Sequence, residues 1–130
     1  MKLTRLCPAF VALLGGCRGL TAPGACPDWI QRAIEIEVTD GRTGQPVAAG
    51  ATGSVRDGAY VESLRVVGWR GAPPNDTATT LGAAEGRRGT YTVRVERPGY
   101  VAWERRGITA RVTACGVQTT RLAAALTPQS

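Results

Sequence analysis

Apolar and polar side chains alternate in short stretches along this chain, starting at residue 34. Over residues 34–38 and again over 90–96, apolar residues take every second position, and charged or hydroxyl residues lie between them. A period of two is typical of a strand with one buried face. The same reasoning predicts further strands, of differing strength, at 47–56, 60–69, 77–83, 100–105, 108–114 and 117–126.

Segments rich in Gly, Pro and Asp separate these stretches at intervals of roughly ten residues. This spacing predicts an all-β domain, a seven- or eight-stranded antiparallel β-sandwich in which both sheets turn an apolar face inward. We assign the domain to residues 28–127 and a short C-terminal tail to 128–130. One assignment stays open, because residues 119–126 fit either a strand or a helix.

The beginning of the chain has the pattern of an export signal. A positive segment with Lys2 and Arg5 precedes an apolar run over residues 6–14, which is too short to span a bilayer. We therefore assign residues 1–16 to a signal peptide. The run ends in Leu14-Gly15-Gly16-Cys17, which resembles a bacterial lipobox. The resemblance implies that Cys17 becomes the first mature residue and carries diacylglycerol; the alternative is ordinary cleavage a few residues later.

A lipidated Cys17 would make a membrane the first partner of the protein, through buried acyl chains. Residue 18 is Arg rather than Asp, which in such lipoproteins points to the outer membrane, facing the periplasm or the cell surface. Residues 17–27 then form the lipidated N-terminus and a tether, because their Gly, Ala and Pro residues offer little material for a core.

The four cysteines divide into two groups. Cys7 would be removed with the signal and Cys17 acylated, which leaves Cys26 and Cys115. An even pair in an oxidising compartment predicts a disulfide between them. The competing hypothesis is a reactive cysteine site, which the lack of histidine and of a CxxC motif disfavours.

Three segments carry a resemblance to a known family: a strand, turn and second strand, then a glycine followed by a strand, and then the turn after that strand. They are Ile36-Glu37-Val38-Thr39-Asp40-Gly41-Arg42-Thr43-Gly44-Gln45-Pro46-Val47-Ala48, Gly89-Thr90-Tyr91-Thr92-Val93-Arg94-Val95 and Pro98-Gly99-Tyr100. Together they resemble the carboxypeptidase regulatory-like domain, a transthyretin-like (prealbumin-like, Ig-like) sandwich. Residues 81–91 depart from the family pattern. The resemblance implies a module that is usually non-catalytic and serves as a spacer or an interaction surface.

Composition removes several kinds of chemistry. The chain has no histidine, which excludes Ser-His and Cys-His catalysis and His-based zinc sites. Its carboxylates have no calcium-loop spacing, so we expect no metal and no cofactor. The net charge of +6 falls to +4 without Lys2 and Arg5, and Arg alternates with Glu and Asp without a basic stripe. We therefore expect no nucleic-acid partner.

Aromatic residues are the remaining candidates for ligand contact. Trp69 precedes a Gly- and Pro-rich loop, and Tyr60, Trp103 and Tyr100 are candidates to join it in an exposed patch. The alternative is that these rings fill the interior, which we favour for Tyr91 and Tyr100 and leave open for Trp69.

We expect a non-catalytic exported lipoprotein whose β-sandwich is a binding or structural module at the cell envelope, with a protein or glycan partner that the sequence does not identify. The alternative is a carbohydrate- or peptide-binding accessory protein that uses the aromatic loop around Trp69. A hydrolase would need converging carboxylates and a mechanism without histidine. Glu35 and Glu37 lie on the outer face of one predicted strand, which disfavours that hypothesis.

Overall fold

The computed structural model describes residues 25–130, which form ten strands. The strands are β1 Arg32–Asp40, β2 Thr52–Asp57, β3 Tyr60–Ser63, β4 Arg65–Arg70, β5 Thr77–Glu85, β6 Thr90–Glu96, β7 Trp103–Thr109, β8 Arg111–Thr113, β9 Gly116–Gln118 and β10 Thr120–Leu126. Within this part of the chain, no helix has the length and hydrophobicity that a bilayer crossing needs. The predicted signal peptide at 1–16 and the predicted lipidation site Cys17 lie outside the described residues.

Eight of these strands form two four-stranded sheets, and β8 and β9 form a small hairpin. Sheet A has the order β10-β1-β5-β4, and sheet B has the order β3-β2-β6-β7. Neighbouring strands are antiparallel except for β1 and β10, which run parallel. The prediction of an all-β sandwich is confirmed. The parallel pair and the extra hairpin are differences from the predicted antiparallel arrangement of seven or eight strands.

The core lies between the two sheets and is supplied by the strands with the strictest alternation. Every second residue of β1 and β6 is completely buried, namely Ile34, Ile36, Val38, Tyr91, Val93 and Val95. Leu81, Val55 and Leu126 add the other large buried side chains. Burying each such side chain stabilises the fold by roughly 1.5–3 kcal/mol, so the alternating pattern fixes which face of each sheet turns inward.

The predicted strand at 60–69 is in fact two strands in different sheets. β3 lies at the edge of sheet B and β4 at the edge of sheet A, and Leu64 separates them. The Leu64 N–H donates to the carbonyl oxygen of Gly53 at 2.9 Å. A Cβ on Gly53 would overlap the carbonyl oxygen of Arg94. Glycine therefore lets β2 and β6 approach closely beside the point where the chain crosses between sheets.

Other predicted boundaries also move. The 47–56 stretch forms a strand only from Thr52, and the apolar run over 108–114 is divided between β7 and β8. The open assignment at 119–126 is resolved in favour of a strand, because Thr120–Leu126 pairs with β1 along its whole length. Ala124 and Leu126 of this strand are buried and Ala125 between them is exposed, which is the period of a strand.

Strand β1 runs from one end of the sandwich, the proximal end, to the other, the distal end. At the proximal end, β1 begins and Arg32 pairs with Glu85. At the distal end, β1 finishes and Asp40 pairs with Leu126. The predicted tail at 128–130 is held at the distal end, where the Gln129 N–H donates to the Gly99 carbonyl oxygen at 2.8 Å.

Candidate binding surface at the proximal end

A disulfide closes the proximal end. Cys26 precedes β1 and is bonded to Cys115 in the turn between β8 and β9, with the two Cα atoms 5.1 Å apart. The predicted pairing of Cys26 and Cys115 is confirmed. The bond joins positions 89 residues apart, so it fixes the start of the domain against a hairpin near its end.

An open hollow lies beside the disulfide-linked segment. Its volume is about 330 Å³, and it is lined by Trp29, Ile30, Gln31, Arg32, Glu35, Gln118, Thr119 and Arg121. Trp29 is 70% exposed and Ile30 is 73% exposed. The Gln31 side-chain oxygen accepts the Thr119 N–H at 3.2 Å, and the Gln31 carbonyl oxygen accepts the Gly86 N–H at 2.8 Å. Gln31 thus holds the segment that carries the two exposed apolar side chains.

A chain of ion pairs runs from the hollow across the outer face of sheet A to strand β3. It connects, in order, Arg121, Glu35, Arg32, Glu85, Arg65 and Glu62, with nitrogen-to-oxygen distances of 2.6–3.7 Å. The shortest contact joins Arg65 and Glu85. Exposed ion pairs contribute little stability one by one. The geometric consequence is that each carboxylate in this series of ion pairs faces a guanidinium.

The ion-pair chain ends in a tyrosine–carboxylate hydrogen bond. The Tyr60 hydroxyl donates to Glu62 Oε2 at 2.5 Å, and the Ala84 N–H donates to the same oxygen at 2.7 Å. Burial, together with the Glu62 carboxylate, raises the pKa of Tyr60 to about 12. Burial by itself would raise the pKa of Glu62, but the hydrogen bonds from Tyr60 and Ala84 outweigh it and lower that pKa. Glu62 thereby links β3 of sheet B to β5 of sheet A.

Arg87 packs on this pair from the β5–β6 turn. Its guanidinium carbon lies 3.8 Å from the centre of the Tyr60 ring, a cation–π contact. Its Nη1 donates to Asp57 Oδ2 at 3.0 Å and to the Tyr91 hydroxyl at 3.2 Å. The hydrogen bonds with Tyr91 and Asp57 raise the pKa of Arg87. The Tyr91 hydroxyl in turn donates to the Arg87 carbonyl oxygen at 2.5 Å, so the buried Tyr91 ring also has its polar atom satisfied.

Three of the four aromatic residues considered for ligand contact lie on three different sheet edges. Trp69 is 57% exposed on β4 of sheet A, opposite Ala78 and toward the distal end. Tyr60 is on β3 and Trp103 is on β7, which are the opposite edges of sheet B. Both are half-buried and pack against the core. The structure therefore does not bring Trp69, Tyr60 and Trp103 together in one patch.

The two tyrosines favoured for the interior differ. Tyr91 is completely buried, as predicted. Tyr100 is only half-buried against the core, and its hydroxyl donates to Asp40 Oδ2 at 2.7 Å at the distal end. Asp40 Oδ1 accepts the N–H groups of Arg42 and Thr43 at 2.7 and 3.0 Å. The hydrogen bond from Tyr100, followed by those two N–H groups, lowers the pKa of Asp40.

Among residues 25–130, no three His, Cys, Asp or Glu side chains come together as a metal-binding group. A comparison with known protein families finds no match, and neither does a comparison with curated proteins.

The proximal hollow was not predicted, although its residues are conspicuous once the disulfide is placed. Trp29 and Ile30 follow Cys26 and precede β1, in a stretch that has no periodicity of two. The available signal was the position of a large aromatic residue three places after a cysteine expected to be cross-linked. Arg121 carried no signal, because its place beside Glu35 depends on the parallel pairing of β10 with β1.

Proposed function

We propose that this protein is an exported envelope lipoprotein whose β-sandwich acts as a non-catalytic binding or structural module. The observation that carries the proposal is the disulfide between Cys26 and Cys115. Disulfides persist in oxidising compartments outside the cytoplasm. This bond fixes the chain at Cys26, near the end of the stretch 17–27 that the sequence assigns to a tether, so a domain carried on a lipid anchor would be held firmly where the tether ends.

We also propose that the sandwich is of the carboxypeptidase regulatory-like, transthyretin-like kind. The segments with that resemblance coincide with defined parts of the fold. Residues 36–48 cover the end of β1 and the turn in which Thr39 bridges Pro46, and residues 89–95 cover β6 with its preceding glycine. The match between these segments and parts of the fold supports the proposal. A module of this kind acts as a spacer or an interaction surface through its fold and needs no catalytic site.

Metabolic labelling with a palmitate analogue tests the lipoprotein assignment. The full chain should incorporate the label, and Cys17→Ala should lose it. Cys7→Ala is the matched control, since Cys7 lies in the predicted signal and its loss should leave labelling unchanged. Label that persists in Cys17→Ala, or is absent from the wild type, would reject the proposal. Intact mass with and without reductant reads the disulfide independently.

A second candidate is a carbohydrate- or peptide-binding accessory protein that uses Trp69. The observation in its favour is a tryptophan that is 57% exposed on an edge strand next to the loop at 71–76. Binding on a glycan array or in a peptide pulldown should be lost in Trp69→Ala and kept in Trp29→Ala, which removes a more exposed ring at the other end. A wild-type protein that enriches no ligand would count against this candidate.

A further inference from the structure

The proximal end exposes two large apolar side chains next to each other. Trp29 and Ile30 both line the proximal hollow, and each keeps more than two thirds of its surface in solvent. Contiguous exposed apolar groups at one place on a small domain mark a contact with a protein or a membrane. The position, the charges and the reach of the chain decide between these two.

The position of the two side chains is fixed by the fold. On one side of them, Cys26 is bonded to Cys115; on the other, Gln31 accepts main-chain hydrogen bonds from Gly86 and Thr119. The segment between is therefore held at both ends. Its exposed side chains therefore form a preorganised binding surface.

One exposed arginine lines the hollow with the apolar pair, and a second lies on the β8–β9 hairpin beside it. Arg121 lines the same hollow, and its side chain is 83% exposed, with Glu35 3.7 Å away as its ion-pair partner. Arg111 of β8 is exposed and pairs in register with Gln118, another residue of the hollow. Tryptophan beside arginine suits the boundary between lipid headgroups and acyl chains, where the ring is half in hydrocarbon and the guanidinium contacts phosphate.

The reach of the chain favours a membrane over a soluble partner. Cys26 follows Cys17 by nine residues, and such a segment spans at most about 30 Å when fully extended. A domain anchored at Cys17 therefore has its proximal end within about 30 Å of the lipid surface, which makes this the end that the anchor holds nearest to lipid. The distal end faces away from the anchor along the length of β1.

We propose that Trp29, Ile30, Arg111 and Arg121, which we name the proximal patch, rest on the lipid surface that holds the anchor. Trp29 and Ile30 lie at the headgroup–acyl boundary, and the two arginines contact the phosphates of anionic lipids. The anchor and the patch then act together, so that the domain is oriented on the membrane as well as attached to it. This inference rests on the proposed lipidation of Cys17.

Depth-dependent quenching of tryptophan fluorescence tests the orientation. The full lipidated chain is reconstituted into phosphatidylcholine vesicles with brominated acyl chains, with and without phosphatidylglycerol. One variant keeps only Trp29 (Trp69→Phe with Trp103→Phe), and its matched control keeps only Trp69 (Trp29→Phe with Trp103→Phe). Quenching of Trp29 should exceed that of Trp69 by at least about twofold, because bromine reaches only a ring inserted at the interface.

A second measurement uses the wild-type protein and no substitution. Hydrogen exchange of the vesicle-bound chain should slow at residues 27–31 relative to the detergent-solubilised chain and stay unchanged at 71–76. Arg111→Gln with Arg121→Gln should remove the additional Trp29 quenching that phosphatidylglycerol produces.

The outcomes separate this inference from the proposed function. A chain that carries lipid but shows equal quenching of Trp29 and Trp69, with no slowing at 27–31, would overturn the proximal patch and leave the lipoprotein assignment intact. Such a surface would then be free for a protein partner or a second copy. A wild-type chain that takes up no palmitate label would overturn both.

Discussion

The two ends of the sandwich are closed by different kinds of bonds. At the proximal end, side chains do most of this, through the disulfide, the Tyr60–Glu62 hydrogen bond and the Arg87 guanidinium stacked on Tyr60, next to the main-chain bond from Gly86 to Gln31. At the distal end, main-chain groups do most of it. There Gly41 donates to the Leu126 carbonyl oxygen at 2.7 Å, and Val101 donates to that of Thr127 at 2.8 Å. Truncating a side chain removes a side-chain bond and leaves main-chain bonds in place, so the proximal end should be the more sensitive to side-chain truncation.

Removing the disulfide is the strongest way to test this difference. In the chain-entropy account a bond across 89 residues stabilises the fold by about 4–5 kcal/mol, and native disulfides in small exported domains commonly contribute about 2–5 kcal/mol. The paired variant Cys26→Ser with Cys115→Ser should lose stability in that range in urea denaturation. Reductant should reproduce the loss in the wild type.

Hydrogen exchange in the same variant locates the loss. Amides at Gly86 and Thr119, which bond to Gln31, should exchange faster, while those at Val101 and Gln129 should keep their relative protection. Equal loosening at both ends, or a stability change under about 1 kcal/mol, would contradict the view that the disulfide holds the proximal end.

Two glycines, one at each end, allow the two ends to be compared by adding a single methyl group to each. A Cβ on Gly89 would lie 2.5 Å from Asp57 Oδ2 and 2.9 Å from Arg87 Nη1, between the partners of an ion pair. A Cβ on Gly41 at the distal end would lie 2.9 Å from the Leu126 carbonyl oxygen. Gly41→Ala should lose about 1–3 kcal/mol in urea denaturation because main chain blocks the methyl group, and Gly89→Ala should lose about 1 kcal/mol because the ends of two side chains must shift.

A double-mutant cycle separates those reasons. Asp57→Ser removes the carboxylate that a methyl group at Gly89 would strike, so part of the cost of Gly89→Ala should disappear in that background. The cost of Gly41→Ala should be unchanged by Asp57→Ser, because its obstacle is main chain at the other end. Full additivity of Gly89→Ala and Asp57→Ser would mean that Asp57 is not the obstacle.

Some parts of the structure could be predicted from the sequence and others could not. β1 and β6 were predictable because their alternation alone decides which side chains are buried. The disulfide was predictable because the predicted signal peptide and the predicted lipidation of Cys17 leave one pair of cysteines. The division at Leu64 was not, since the strand pattern continues through the crossing, and the close approach at Gly53 beside it involves other strands. The contact of Glu62 with the Ala84 N–H was equally unpredictable, because the two residues are 22 positions apart.

Alkaline titration tests Tyr60 at the proximal end. The pKa of Tyr60 is raised from 10.0 to about 12, so the folded chain keeps this proton at pH values where the unfolded chain has lost it. The stability contribution is therefore complete below pH 10 and is lost as the pH rises toward 12. Because the group is partly exposed, we expect at most about 1 kcal/mol across this window.

Urea denaturation at a series of alkaline pH values measures this contribution. Tyr60→Phe should flatten the decline of unfolding free energy across the window, and the ultraviolet absorbance of tyrosinate should lose its highest-pH step. Retention of the wild-type slope and of that step in Tyr60→Phe would show that another group is responsible.

The smallest effect is expected for the corresponding hydrogen bond at the distal end. The pKa of Asp40 is lowered by the Tyr100 hydroxyl first and by the Thr43 and Arg42 N–H groups next. A lowered carboxyl pKa adds stability above the pKa of the unfolded chain and loses it as the pH falls through the folded value. Tyr100→Phe removes only the first cause, so the Asp40 pKa should rise toward 3.8 and the decline of stability below about pH 4 should become shallower. A carboxyl-carbon NMR titration of Asp40 measures this shift, and Tyr60→Phe is the control that should leave it unchanged.

Because the main-chain bonds of Gly41 and Val101 remain in place, Tyr100→Phe should leave the neutral-pH stability closer to the wild type than Gly89→Ala does. The reverse order would mean that the distal end, too, depends on its side chains.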